Sequence, residues 1–312
     1  MKKTIAIALL LLLSLGSVPA MAFEVPNPVV IGLSVPSLGW PYIAAIVREY
    51  ERIAAEHENI RLIVLSADGS IEKQNNDIND LVVQDVDIIL VCSLDGEAVI
   101  PALAMAHGAG IPILAVSNMP GEAGWQYLAG YSGPDDYVQG QIAAELMVEA
   151  IGTEGNIIMI EGTAGQSTTL LRAEGWRDRT AEIAPGMKVI DSQPCDWDPV
   201  KEKAAMQAFL TKYGDAIDGV FAQGSGVAVA QTIADAGYDI PVVCTGFRNT
   251  TKQAIEDGIL YGTMQQSPVI DATQGVELAL KIVAGEELPA FRNIIPMPIV
   301  TAENAFELEA DY

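Results

Sequence analysis

The sequence predicts an α/β protein with two doubly wound parallel-sheet domains, and three observations carry that prediction. Short apolar runs of strand length alternate with amphipathic segments of helical period from Val29 nearly to the end of the chain. The runs are apolar throughout, which is the pattern of parallel strands covered by helices on both faces. A single open sheet rarely exceeds roughly ten strands, yet a second series of strand, loop and helix opens at IIGTEGNIIMIEG and echoes the first. Two sheets in two domains satisfy all three.

Residues 1 to 22, MKKTIAIALLLLLSLGSVPAMA, place two lysines before an apolar core from Ile5 to Leu15 and small residues at Ala20 and Ala22. That is the layout of a secretory signal cleaved after Ala22, and its core falls short of the roughly 20 apolar residues a spanning helix needs. The mature chain is therefore expected to be soluble and exported. Its opening unit, Pro28 to His57, reads as a strand over Val29 to Val35, a loop rich in Pro, Ser and Gly, and a helix marked by Ile43, Ile46, Val47, Tyr50, Ile53 and Ala54. The loop carries Trp40 and Tyr42 on either side of Pro41. Loops at the carboxyl ends of parallel strands are where ligands sit, so this one is expected to wall a ligand cleft.

Further strands are expected at Ile60 to Leu65, Asp87 to Cys92, Pro112 to Val116, Gln126 to Ala129, Asn156 to Glu161, Met187 to Gln193, Gly219 to Ala222, Pro241 to Thr245 and Tyr261 to Gln265. Helices are expected between them, among them Asp135 to Ile151, Thr168 to Ala184, Pro199 to Tyr213 and Val269 to Ala284. No low-complexity linker separates the halves. The chain runs through GYSGPDD near Ser132, which predicts a stiff hinge of short connections.

Composition excludes several function classes. The net charge is −24, and removing the two signal lysines makes it about −26. Such a surface repels phosphate backbones and anionic lipid, so neither nucleic acid nor a membrane surface is an expected partner. About 290 mature residues, with half of the sequence apolar, suffice for two ordinary cores. Of the three cysteines, Cys92 and Cys244 lie in or at the end of apolar runs, where a free thiol packs as a small hydrophobe. No two cysteines are close in sequence, and His57 and His107 fall in helix-like segments. No metal or cofactor is expected.

The catalytic patterns are incomplete. The loop from Gly162 to Thr169 lacks the Lys of a phosphate loop and the three glycines of a dinucleotide fingerprint. Gly224-Ser225-Gly226 is too short for a nucleophile elbow, and neither His ends a strand to act as base. Asp135 and Asp136 read as helix-start charges. What recurs at strand ends is a set of aromatic and hydrogen-bonding side chains: Trp40, Tyr42, Ser117, Asn118, Trp197, Phe247, Arg248 and Gln266, with Arg172 one helical turn past its loop. Rings cover the C–H faces of a sugar while planar amide and guanidinium groups bond its hydroxyls. The set suits a small polyhydroxylated ligand.

In these segments the sequence resembles the periplasmic sugar-binding proteins of the ribose-binding type, the type I solute-binding components of ABC transporters. The resemblance spans the mature chain and rests on SVPSLGWPY, IPILAVSN, YSGPDDYVQGQIAAELM, EGTAGQSTTLLRAEGW, SQPCDWD, VFAQGSG, CTGF and GTMQQSP in that order. It implies a three-strand hinge crossed near Ser132, Gln266 and Asn293. It also implies one lobe of residues 23–132 plus 267–293 and another of 133–266 plus 294–312. Carried over residue by residue, Arg172 falls on the family's binding Arg, Trp197 on a stacking ring, Phe247 on an aromatic and Gln266 on the hinge-side Gln. Trp40 and Tyr42 stand where the family places an Asn and a Phe, and Ser117 and Asn118 where many members have an Asp-Arg pair. Gly224 replaces a binding Asn, and Arg248 replaces the usual Asp.

The resemblance implies a monomeric, non-enzymatic protein of the periplasm that closes over a sugar or sugar-like ligand and delivers it to an ABC transporter permease. A sensor that presents its ligand to a membrane receptor, or a Rossmann-like enzyme, is the alternative. Because acids have become Ser117 and Arg248, two arginines are expected to face one pocket, which favours a ligand bearing a carboxylate or another acceptor-rich group. The opposing possibility is that Arg248 pairs with Asp271. Arg172 and Trp197 are expected to govern closure without carrying the stability of the empty protein.

Overall fold

The computed structural model describes residues 25–310 and residue 312, so the expected signal at 1–22 lies outside the described residues. Strands β1 (Val29–Val35), β2 (Ile60–Ser66), β3 (Ile88–Val91), β4 (Ile113–Val116), β5 (Gly130–Gly133) and β11 (Arg292–Ile294) form one sheet in the order β11-β5-β4-β3-β1-β2. Its strands are all parallel. Strands β6 (Glu154–Glu161), β7 (Gly186–Pro194), β8 (Gly219–Ala222), β9 (Val242–Cys244), β10 (Gly262–Met264) and β12 (Ile299–Thr301) form the second, in the order β12-β10-β9-β8-β6-β7. Here only the edge strand β12 is antiparallel, to β10.

Each sheet buries both faces. On the first, Leu33, Ile88 and Leu90 pack against Ile46 and Tyr50 of α1 (Pro41–Glu56) and Ala272 and Leu278 of α9 (Pro268–Val283). On its other face Ile89 and Val91 meet Ile78 and Leu81 of α2 (Ile71–Val83) and Leu103 of α3 (Ile100–Gly108). The second sheet is covered by α4 (Asp136–Ile151) and α5 (Ser167–Ile183) on one face. On the other lie α6 (Pro199–Tyr213), α7 (Val227–Asp235) and α8 (Asn249–Glu256). Each fully buried aliphatic side chain contributes roughly 1.5–3 kcal/mol, and each sheet carries such residues on both of its faces.

The chain passes between the sheets three times, after β5, after β10 and after β11. Two of the helices that follow begin at a side-chain cap: Asp135 accepts from the Val138 N–H at 3.2 Å, and Ser267 from the Ile270 N–H at 3.2 Å. Such caps satisfy otherwise orphaned donors and fix where the helix begins. Neighbouring crossings are tied by backbone bonds, Ile295 N–H to Gly133 at 3.0 Å and Gln265 N–H to Pro298 at 2.8 Å. The hinge is a short ladder rather than a tether.

The expected strand at Gln126 to Ala129 is displaced. A 3-10 turn occupies Glu122–Tyr127, held in part by Trp125 Nε1 donating to the Pro120 carbonyl at 3.0 Å. The strand follows it, in the sequence GYSG. Its outer residues are glycines, so it lacks the apolar run that marks the other strands. Strands β11 and β12 are three residues each and partly exposed, too short to leave a periodic signal. All three cysteines are free and buried.

Candidate ligand cleft between the two sheets

The carboxyl ends of both sheets face one cavity of about 90 Å³. A single water needs at least roughly 10–15 Å³ on the same measure, so the space accommodates a small organic molecule. From the first sheet come Trp40, Pro41, Tyr42 and Ile43, at the start of α1 after β1, and Asn118 after β4. Pro41 takes the first helical position, where its missing N–H costs nothing, and so sets Trp40 and Tyr42 at the helix mouth. All other lining residues sit after strands of the second sheet or in the chain that crosses from it, except Tyr312 at the far end of the chain.

Arg172 is the centre of the second wall. It is 5% exposed, and its position follows from the crossing of α4 and α5. A Cβ on Gly140 would strike the Arg172 carbonyl, and one on Gly175 the Tyr137 carbonyl, so both glycines are needed for backbones to meet there. The guanidinium then reaches Asp136 Oδ1 and Gln139 Oε1 on α4, at 3.1 and 2.9 Å from its Nε. Nη1 donates to the Gln223 carbonyl at 2.7 Å and Thr245 Oγ1 at 3.0 Å, and Nη2 to Gln266 Oε1 at 3.3 Å. Burial raises the Asp136 carboxyl pKa, and Arg172 acts against that rise.

This arrangement corrects two expectations. Arg172 already has an anionic partner, so it needs none from a ligand. It is also built into the lobe: removing it would strand the buried Asp136 carboxylate, a loss that costs about 3–5 kcal/mol, so stability of the empty protein depends on it.

Trp197 stands above this network, its ring 5.6 Å from the Arg172 guanidinium carbon. Asp196 and Trp197 adopt left-handed backbone, with φ of 54° and 57°. A bulky residue there costs of order 1–3 kcal/mol. Trp197 Nε1 donates to Gln166 Oε1 at 2.7 Å, and the indole lies where a Cβ on Gly162 would be. The strain is held by bonds from the Cys195 and Asp196 N–H groups to Glu161 and Gly162.

On the first-sheet side Tyr42 donates to Asp271 Oδ2 at 2.8 Å and Ser117 to the same oxygen at 2.9 Å. Asp271 is fully buried, and burial pushes its carboxyl up to about 7, while the bonds from Tyr42 and Ser117 pull it back. Tyr42 is held well above the usual tyrosine range by burial and by that carboxylate. Arg248 therefore does not pair with Asp271. Its guanidinium lies 5.7 Å over the Tyr312 ring, which also meets Tyr42 edge-on at 6.0 Å.

Of the side chains singled out from sequence, Trp40, Tyr42, Asn118, Arg172, Trp197, Arg248 and Gln266 line the cavity, as does the backbone at Gly224. Ser117 and Phe247 do not. Ser117 is 1% exposed and turned to Asp271; Phe247 is fully buried in the core with Val242 and Ile255. Sequence reasoning missed Gln166, Thr168, Glu202, Gln223, Thr245 and Tyr312. Gln166 and Thr168 belong to a loop already notable for its glycines, but Glu202 lies in the charged stretch VKEK and gives no sign of burial. The lips of the cleft touch: Ser167 Oγ donates to the Met119 carbonyl at 2.6 Å and Thr168 Oγ1 to Asn118 Oδ1 at 3.1 Å.

A model of the periplasmic binding protein domain matches residues 31–287. The chain belongs to the periplasmic binding protein family. This periplasmic binding protein is 30% identical over 264 residues to the ribose import binding protein of Escherichia coli, covering 83% of this chain and 86% of that one. It is 29% identical over 253 residues to a xylitol-binding protein of Mycolicibacterium smegmatis, covering 80% of this chain and 71% of the relative. Among solved structures, an ABC transporter solute binding protein from Mycobacterium smegmatis with bound glycerol superposes with a TM-score of 0.84 at 26% identity, covering 92% of this chain and 99% of that one. One from Bacillus halodurans with bound myo-inositol gives the same TM-score and coverage at 23% identity, a likeness of fold.

Proposed function

We propose that the protein captures an uncharged sugar or polyol between its two sheets and hands it to the permease of an ABC transporter. The observation that carries this is the composition of the cavity wall: Trp40 from one sheet and Trp197 from the other, with Arg172, Asn118 and Gln266 among them. Rings cover apolar sugar faces while polar groups bond hydroxyls, Arg172 holding the wall in place and Arg248 facing the ligand. The relatives named for ribose and xylitol support the class.

In this reading the lobes comprise residues 23–132 plus 267–293 and 133–266 plus 294–312, and the ligand favours the closed form because it touches both. Cleavage after Ala22 releases a monomer into the periplasm. The protein has no turnover of its own; it delivers.

The test is calorimetry and thermal unfolding of the mature protein with D-ribose, D-allose, xylitol and myo-inositol. At a hundred times its Kd a ligand adds about 2.7 kcal/mol of stability, a rise of several degrees in Tm. Small-angle scattering should show a smaller radius with the same ligand. Absence of binding to neutral sugars and polyols would defeat the proposal.

A further inference from the structure

Glu202 sits on α6 between Lys201 and Lys203, in a stretch that reads as solvated helix surface. It is 3% exposed and lines the cavity. Its Oε1 stands 2.8 Å from where a Cβ on Gly224 would be, so the carboxylate fills the room that a side chain at 224 would take. Its other oxygen, Oε2, has no hydrogen-bond partner in the protein. On the same cavity wall Arg248 has a buried Nε that also lacks one. No ion pair within 4.0 Å joins the two among the described residues, so neither saturates the other.

A carboxylate only accepts hydrogen bonds and a guanidinium only donates them. One group that serves both must donate and accept at once. A hydroxyl does so without charge. A ligand carboxylate would satisfy Arg248 but confront Glu202, and a ligand ammonium would do the reverse; each leaves a buried charge opposed.

We propose that Glu202 and Arg248 form a specificity-determining pair that takes an uncharged hydroxylated end of the ligand, a hydroxyl donating to Glu202 and accepting from Arg248. This rests on the reading of the cavity as a sugar or polyol site. Glu202 thereby supplies the acceptor from α6 that the bare Gly224 cannot. The electrostatics agree: burial pushes the Glu202 carboxyl up to about 6, and Arg248 is the group that holds it from rising further.

The experiment is calorimetry on the mature wild type, Glu202→Gln and Arg248→Gln. The probes are xylitol, D-ribose and myo-inositol, then D-glucuronate, D-glucosamine and L-serine as acid, amine and zwitterion. We expect the wild type to bind at least one neutral probe and to reject the charged three. Each variant should weaken that neutral probe about tenfold or more. Glu202→Gln should improve D-glucuronate relative to the neutral probe, and Arg248→Gln should improve D-glucosamine, a selectivity split that mere loss of packing would not produce. Glu202→Ala combined with Gly224→Asn, which moves a polar side chain into the vacated room, should recover part of the neutral affinity. Neutral binding unchanged in both single variants, or a wild type that prefers a charged probe, L-serine included, would overturn the pair while leaving the cleft a binding site. A wild type that binds none of the probes would overturn the sugar reading and the pair with it.

Discussion

The two walls of the cleft are built on different principles. The first-sheet wall is aromatic and apolar, Trp40, Pro41, Tyr42 and Ile43, with Asn118 as its polar member. Its Tyr42 hydroxyl is already committed as a hydrogen-bond donor to Asp271, which Ser117 also meets from behind the wall. The second-sheet wall holds two arginines, a carboxylate and three glutamines. There Arg172 is bonded on all three nitrogens to five acceptor groups, whereas the Nε of Arg248 has none. One arginine is a fixture and the other is available. The difference teaches that exposure to a cavity does not by itself make a charged residue a ligand contact; what matters is whether the protein has already satisfied it.

The largest effect expected from this contrast is on the fixture. Arg172→Ala should lower the unfolding free energy of the empty protein by about 3–5 kcal/mol, seen in urea or thermal unfolding, because Asp136 loses its cation. The same substitution at Arg248 should cost less, because no ion pair within 4.0 Å joins it to an acid among the described residues. Equal losses at the two positions would erase the distinction.

The aromatic members come next. Trp197→Ala or Trp40→Ala should weaken binding of a neutral sugar by about 2 kcal/mol, read by calorimetry, through loss of apolar area over the ligand. Alanine keeps the Cβ that strains the left-handed backbone at 197, so no relief offsets the lost packing; but no buried charge is stranded, so the Tm of the empty protein should fall less than that of Arg172→Ala.

A pH series separates two of the buried carboxylates, Asp271 and Glu202. The Asp271 carboxyl is raised to about 7 in the folded state from an ordinary value near 4, so the folded protein binds more protons between those limits. Its contribution is fully present below about pH 4 and is lost as pH rises toward 7. Asp271→Asn should flatten that decline in an unfolding series from pH 4 to 8. Glu202→Gln should flatten only the part below about pH 6.

The smallest effect concerns the one lining residue that follows both sheets in the chain. Tyr312→Ala should cost ligand affinity about 0.5–1 kcal/mol by removing a ring over Arg248 and beside Tyr42. A larger loss would make that ring a main wall of the cleft.

Most of the architecture could be read from the chain alone. The boundaries of β1, β8 and α6 coincide with the apolar runs and periodic segments that predict them. These signals are local, because a strand buried on both faces must be apolar at every position and a capped helix announces its own start. The strand GYSG and the edge strands β11 and β12 escaped, since their place is set by neighbours rather than by their own side chains. The cleft divided the same way. The residue types at the strand ends, Trp40, Arg172 and Trp197, were legible as a set. That Ser117 and Phe247 turn inward, that Glu202 is buried in the space beside Gly224, and that Asp136 rather than a ligand answers Arg172 were decided only by tertiary packing. The reason is that Arg172 pairs with Asp136 across α4 and α5, and Glu202 of α6 fills the room beside Gly224 after β8, at sequence separations that carry no pattern, while hydrophobic periodicity repeats within a few residues.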